Sequence, residues 1–404
     1  LARIIKMSTK STELFYYQQD SLCFNGHALS DHVSIKNYQQ PVLMHDLQLV
    51  QERINWVKEW KGLGQLHFAL ISNYDEIILK LIQKNGCGVD VVSLGEIQLA
   101  LRCGFKPQDI LFSGVAKTEK EIRWAIENEI YQINVESLSE LKRIQRISNE
   151  LEKSVNIGLR INPAVDAQTP PTIATALLDS KFGLNAQDLP EVEGLIKDSK
   201  YIILKSMSFH IGSQVLDTSI YREAILKMKP LYLDMKSRHA TLDRFDLGGG
   251  LGLNYRDHNM THDYERWVSL REIYEEDLSD IKDHFMLEIG RFIVARSAVL
   301  VAQVQYIKKT SNKKILIIDM GMNNLIRPML YQAYHHIYPL KQRAGKQSYM
   351  VVGPLCESSD VFHDHIELNT LHEGDFVAIS DAGAYTKSMS SNYNLQPIAI
   401  DIYL

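Results

Sequence analysis

Asp246-Leu-Gly-Gly-Gly-Leu-Gly252 follows the short run Arg244-Phe245 and leads into Leu253-Asn254-Tyr255. Three consecutive glycines leave main-chain N–H groups bare and free to take unusual dihedrals, which suits a turn wrapped round a phosphate. The same residues also suit a tight strand exit. A dinucleotide fingerprint fits poorly: the spacing is not G-x-G-x-x-G, and polar Asn254-Tyr-Arg-Asp257 follows where a helix would begin. The flanking sequence has to decide.

Upstream and just downstream, strand-like runs alternate with amphipathic helical ones. The strand candidates are Leu66–Ile71, Gly88–Val92, Ile110–Phe112, Tyr131–Val135, Val155–Leu159, Met207–Phe209, Arg244–Leu247 and Phe285–Leu287. Helical stretches such as Asp75–Lys84, Leu94–Cys103, Glu119–Glu127 and Ser139–Ser148 lie between them, the pattern of parallel β-α units. Eight such units predict a closed (β/α)₈ barrel over residues 47–296, with the triple glycine at the exit of the seventh strand. After Arg291 the pattern becomes strands alone: Val299–Tyr306, Lys314–Asp319, Ser348–Val352, Asp375–Ser380 and Ala399–Tyr403. These predict a second, mostly β, barrel-like domain over 297–404, completed by the short strands and turns of residues 1–46.

Composition narrows the function classes. A chain of 404 residues with 45% hydrophobic and 23% charged residues buries a large core and has room for two domains. A formal net charge of −5, with no basic run interleaved with aromatics, argues against nucleic acid. Cys23, Cys87, Cys103 and Cys356 form no C-x-x-C pair, so neither a zinc knuckle nor a disulfide framework is indicated, and reduced thiols in a cytoplasm fit. The opening Leu1–Met7 is too short and charged for a secretory signal, and no run approaches the ~18 apolar residues of a membrane span.

Active sites of such barrels form at the C-terminal ends of the strands, with phosphate held after the seventh and eighth. Polar residues cluster at those ends: Ser72-Asn73, Asp90 and Ser93, Ser113-Gly114, Glu136-Ser137, Arg160 and Asn162, His210 with Gly212-Ser213-Gln214, and Glu288 with Arg291. A lone buried His or Glu is usually a satisfied core group. Several at one end of one barrel point to a site.

Specific motifs accompany them: Arg160-Ile-Asn-Pro163 with Asp166, Ser180-Lys-Phe-Gly183, His210-Ile-Gly-Ser-Gln214, Asn324-Leu-Ile-Arg-Pro328 with Tyr331, Cys356-Glu-Ser-Ser-Asp360, and Gly383-Ala-Tyr385 with Ser388–Tyr393. In this order, from about Phe15 to the C-terminus, they resemble the alanine-racemase-like, type III fold family of pyridoxal-phosphate decarboxylases. His-Ile-Gly-Ser-Gln and Cys-Glu-Ser favour its diaminopimelate branch over the ornithine and arginine branch, where a Cys-Asp pair is expected. The resemblance implies pyridoxal 5'-phosphate as cofactor and decarboxylation of meso-2,6-diaminopimelate to L-lysine, with a related diamino acid as the alternative substrate. It implies Glu288 as partner of the ring nitrogen, His210 against the ring face, and Ser213, Gly249, Gly250, Leu251, Gly252 and Tyr385 around the phosphate. It implies Arg291, Arg327, Tyr331, Glu357 and Tyr385 as substrate contacts and Cys356 as proton donor to the carbanion. A substrate with two carboxylates suits two arginines with fork geometry. A homodimer is implied as well, since in the family the Cys-Glu segment and the phosphate-side Tyr serve the neighbour's site. Taken singly, Arg327 also suits an interface ion pair and Cys356 a small core residue.

One departure outweighs the rest. The family ties its cofactor covalently to a Lys at the end of the first barrel strand, in a Tyr-Ala-x-Lys-Ala-Asn-like motif. This chain reads Phe68-Ala-Leu-Ile-Ser-Asn73, so Ile71 occupies the Lys position and offers no amine. Ile289 also stands where a Pro is expected between Glu288 and Gly290, and Leu94 where a Gly is expected after Ser93. Three accounts of Ile71 compete: a substitution in a chain otherwise built as a decarboxylase, a non-catalytic relative that binds cofactor, ligand or an active partner, or a substitute amine such as Lys117 or Lys181. A barrel that binds a phosphate ligand without cofactor chemistry is a further reading, and it leaves Cys356, Arg327 and Tyr385 unexplained.

Overall fold

In a computed structural model of the chain, which describes residues 13–33, 37–166 and 180–404, the eight predicted strands close into a parallel barrel. The Leu1–Met7 stretch lies outside the described residues. The strands are β1 Leu63–Ala69, β2 Gly88–Val91, β3 Ile110–Phe112, β4 Gln132–Val135, β5 Val155–Arg160, β6 Ile202–Ser208, β7 Arg244–Asp246 and β8 His284–Glu288. Each pairs with the next in sequence, and β8 closes on β1 with Glu288 opposite His67.

The turns leaving β1 to β4 show why the polar residues gather at one end. Asp75 accepts the N–H groups of Ile77 and Ile78, and Ser93, Thr118 and Ser137 accept those of Glu96, Glu121 and Glu140. These side chains cap the helices Glu76–Lys84, Leu94–Arg102, Glu119–Glu127 and Leu138–Leu151, at about 1 kcal/mol each. Each helix then buries one apolar stripe, for example Leu141, Ile144 and Ile147.

At two strands of the barrel the limits depart from the sequence reading by more than one residue. β1 ends at Ala69, and Leu70–Ser72 form a 3₁₀ turn in which the Ser72 hydroxyl donates to the Ala69 carbonyl at 2.7 Å. Ile71 therefore lies in that turn and not on the strand. β6 starts at Ile202 because a bulge between Leu204 and Ser206 carries the polar Lys205-Ser206 pair that interrupts the apolar run.

Contacts divide the chain into two compact units, one of Gln51–Leu253 with Arg266–Ile293 and one of residues 1–50, Asn254–Glu265 and Val294–Leu404. The β unit is built on the long strand β9, Ala298–Lys309. In sheet order its strands are Ile337–Pro339, Phe376–Ile379, β9, Lys314–Ile318, Lys346–Val352 and Val361–Asn369. Val42–His45 pairs antiparallel with the start of β9 and parallel with Ile400–Tyr403, so segments from before and after the barrel complete this sheet. Ala298, Leu300, Ala302 and Val304 alternate along β9 and enter one core with Leu316, Ile318, Val377 and Ile379.

The inclusion of Asn254–Glu265 in the β unit has a specific cause. Arg296, 1% exposed, donates from Nε to Asp263 at 3.0 Å, from Nη1 to Asp381 at 2.9 Å, and from Nη2 to the carbonyls of Asn254 and Asp257. His258 adds a 2.8 Å contact from Nε2 to Asp381. A strand the sequence reading passed over, Val361–Asn369, buries Phe362, Ile366 and Leu368 while exposing Asp364 and Glu367. The exposed Asp364, between Phe362 and Ile366, breaks the alternation that would have marked the strand. No helix among the described residues is long and apolar enough to cross a membrane.

Candidate active site

The glycine stretch leaves β7 between the exits of β6 and β8, and the backbones meet there with no room for side chains. A Cβ on Gly249 would stand 1.9 Å from the Glu288 carbonyl, and one on Gly250 2.0 Å from the Gly212 carbonyl. Tight packing of three strand exits thus requires these glycines, and it strips the loop down to backbone. Gly248 donates to Asp246 and Gly252 to the Val215 carbonyl, while the N–H groups of Gly250 and Leu251 meet no acceptor among the described residues. Two bare donors beside the Ser213 hydroxyl, which accepts from Arg291 Nη2 at 2.8 Å, make an anion cradle.

His210, two residues past the end of β6 at Ser208, accepts the Gly249 N–H on Nδ1 at 3.3 Å, which leaves its proton on Nε2. Desolvation, and then the Arg160 guanidinium, lower its pKa to about 3, so the ring is neutral. Glu288 ends β8, partly exposed, and accepts from the Asn134 amide on Oε1 at 3.1 Å. Desolvation and the neighbouring Asp246 push its carboxyl well above the carboxylate range. Asp246, fully buried, is raised to about 6 by desolvation, against the pull of the Gly248 N–H. Asp90 is likewise held well above its ordinary range, by burial and then by Glu288. Asp246 Oδ2 meets no donor among the described residues, and the Asp246 carboxylate is, after desolvation, the largest cause of the rise on Glu288.

These residues fit the phosphate and the ring of pyridoxal phosphate: bare N–H donors and a hydroxyl for one, a neutral imidazole and a carboxyl able to become an anion for the other. The covalent anchor does not fit. Ile71 is 38% exposed, an aliphatic side chain in the turn after β1, where the backbone of Ala69 and the Ser72 side chain press on Gly290. Lys117 cannot replace the amine, because its buried Nζ already donates to the carbonyls of Gly114 and Asn134 and to Glu140, each within 2.7 Å. It anchors a helix cap. Lys181 is exposed and lies over the Phe182 ring at 5.2 Å.

The remaining expected residues belong to the β unit. Arg327, 3% exposed, opens the short helix Arg327–Tyr331, with its guanidinium over the Tyr255 ring at 4.8 Å and Nη1 bonded to His335 Nε2 at 2.7 Å. Tyr331 closes the same helix, partly exposed. Cys356 and Glu357 lie on an exposed loop tied to a second loop: the Cys356 N–H donates to Asn394 Oδ1 at 3.0 Å and the Tyr393 hydroxyl to Glu357 at 2.5 Å. Tyr385 is held at φ 59°, a left-handed conformation that a bulky residue rarely adopts. Sequence reading noted Asp90 and Arg160 as strand-end residues but missed Asp246 and Asn134 as neighbours of Glu288. Asp246 was read as the start of a glycine loop and Asn134 as strand interior, and no local signal distinguishes them.

Residues 47–295 match the family described as pyridoxal-dependent decarboxylase, pyridoxal binding domain. The diaminopimelate decarboxylase of Aquifex aeolicus is 34% identical over 94% of this chain and 90% of its own. That of Helicobacter pylori strain J99 is 39% identical, covering 91% of each chain. The crystal structure of diaminopimelate decarboxylase from Helicobacter pylori complexed with L-lysine superposes with a TM-score of 0.86 at 37% identity, over 91% of this chain and 92% of that one. By sequence and fold alike, the chain belongs to the pyridoxal-phosphate-dependent decarboxylases of the diaminopimelate branch, a family of carboxy-lyases.

Proposed function

We propose that this chain is built to decarboxylate meso-2,6-diaminopimelate to L-lysine, with Ile71 in place of the residue that holds the cofactor covalently. The observation that carries the reading is the barrel mouth, where an anion cradle and a carboxyl raised above the ordinary carboxylate range lie on adjacent strand exits. When bound, pyridoxal phosphate supplies an electron sink for the carbanion left by loss of carbon dioxide. Gly250, Leu251 and Ser213 would hold its phosphate by N–H and hydroxyl contacts. Glu288, in its ionised form, would be the anionic partner of the ring nitrogen, and the neutral His210 would lie against the ring without competing for that charge. Arg291 and Arg327 are the carboxylate partners, and Cys356 the proton donor. The L-lysine held by the Helicobacter pylori relative is the product expected here. Cys356 and Glu357, exposed on their loop, support a homodimer in which each copy serves the other's site.

The test restores the amine. Ile71→Lys protein, incubated with pyridoxal phosphate and reduced with borohydride, should carry a pyridoxyl adduct on the peptide spanning Leu66–Asn73. It should release carbon dioxide from diaminopimelate orders of magnitude faster than the Ile71 chain. Absence of the adduct in a folded variant would sink the proposal. Ile71 itself favours a second reading, a chain that binds the cofactor only non-covalently and serves as a binding partner. That reading predicts cofactor absorbance that dialyses away from the Ile71 chain, and no turnover even in the Ile71→Lys variant.

A further inference from the structure

A chain of hydrogen bonds crosses the interior of the barrel and ends on Glu288. Arg244, at the start of β7, donates from Nη1 to Gln132 Oε1 at 3.2 Å. Gln132 Nε2 donates to Asn134 Oδ1 at 2.8 Å. Asn134 Nδ2 donates to Glu288 Oε1 and to Ser113 Oγ, both at 3.1 Å. The direction follows from one end. A guanidinium has donors only, so Gln132 must turn its carbonyl to Arg244 and its NH₂ to Asn134. Asn134 must then turn its carbonyl to Gln132 and its NH₂ to Glu288. Reversing either amide would set donor against donor in a site where Gln132 is 0% and Asn134 1% exposed.

The neighbouring strand leaves room for this chain. A Cβ at Gly158 in β5 would stand 2.3 Å from Gln132 Nε2 and 2.6 Å from Asn134 Oδ1. Arg244 is itself held over the Tyr131 ring at 4.1 Å. The charged groups around Glu288 are Asp246 from β7, Asp90 from β2, Glu136 after β4 and Arg160 from β5. Three of the four are acids, and Arg160 is paired with Glu136 at 2.8 Å. The Asn134 amide is therefore the neutral donor that favours the ionised form of Glu288 among predominantly acidic neighbours.

We infer that Gln132 and Asn134 are positioning residues, a directional relay from Arg244 that presents a donor to Glu288 and so favours its ionised form when a pyridinium binds. The inference rests on the reading of Glu288 as partner of the ring nitrogen. The experiment measures the affinity of the intact chain for pyridoxal phosphate by absorbance titration across roughly pH 6 to 9, for the parent and for Glu288→Gln and Gln132→Met variants. Affinity in the parent should rise as Glu288 ionises. Gln132→Met should move the midpoint of that rise up by about one pH unit, which is about a tenfold weaker binding on the rising limb. Glu288→Gln should flatten the rise altogether.

The outcomes separate cleanly. If Glu288→Gln keeps the parent's pH profile, the reading of Glu288 fails. If Glu288→Gln flattens the profile but Gln132→Met coincides with the parent, the relay fails while that reading stands. A Gln132→Met variant that weakens binding equally at every pH shows a merely structural role and also overturns the relay. Should Gln132→Met not fold, Arg244→Met cuts the same chain at its partly exposed head. It must give the same upward shift, and an unmoved midpoint there refutes the relay.

Discussion

Both units of the molecule bury acids, and they treat them in opposite ways. In the β unit, Asp263 and Asp381 share Arg296, and Asp381 is held below the ordinary carboxylate range by that guanidinium and by His258, although burial opposes it. In the barrel, Asp90, Asp246 and Glu288 face one another with Arg160 as the nearest cation, and all three are raised. Local balance is what a structural ion cluster needs, because each desolvated charge then has its partner. A cluster that lacks its cation favours arrival of one from outside, which is what the ring nitrogen of the family's cofactor provides. The difference between the two clusters separates a site from a scaffold more sharply than burial alone.

The comparison breaks first at its strongest point. Arg296→Met leaves Asp263 and Asp381 buried without their cation, so stability to urea should fall by about 3–5 kcal/mol. Proteolysis should then cut within Asn254–Glu265, the segment Arg296 ties down. A loss below about 1 kcal/mol would mean the cluster is not balanced as described.

A smaller effect of opposite sign belongs to the barrel. The raised pKa of Asp90 means the folded state keeps a proton that the unfolded chain releases near ~4. Stability is therefore lost as pH rises from there towards the folded pKa, and full below it. Asp90→Asn should stabilise the cofactor-free protein by about 1–3 kcal/mol at pH ~8 and leave it unchanged at pH ~3.5, read from paired denaturation curves. For Asp381, depressed on folding, the sign reverses: its contribution is present above ~4 and fades as pH falls towards the folded value. The smallest effect is a cap outside both clusters. Thr118→Ala, which removes the capping box with Glu121, should cost about 1 kcal/mol with no dependence on pH above ~5.

Legibility followed the range of the interactions involved. The barrel was readable because each β-α unit carries its own signal, an apolar run, a capping Asp, Ser or Thr and one apolar helical stripe. The Val361–Asn369 strand was not, because His363, Asp364 and Glu367 dilute its apolar content. Of the site, His210, Ser213 and the glycines were found through motifs that are contiguous in the chain. The partners of Glu288 were not, since Asn134 and Asp246 lie 154 and 42 residues away and meet it only when the barrel closes.

What the sequence determined by itself is the rhythm of eight units, the bare glycine loop after the seventh strand, the β tail and the absence of an amine at position 71. These are local or periodic properties, carried by residue type and spacing. Tertiary structure alone decided that Asp246 raises the carboxyl of Glu288, that Lys117 is consumed by Glu140 and two carbonyls, and that Asn254–Glu265 joins the β unit through Arg296. It also set the direction of the bonds from Arg244 to Glu288. Each of these depends on desolvation and on distances of about 3 Å between residues far apart in the chain, quantities that exist only once the chain has folded.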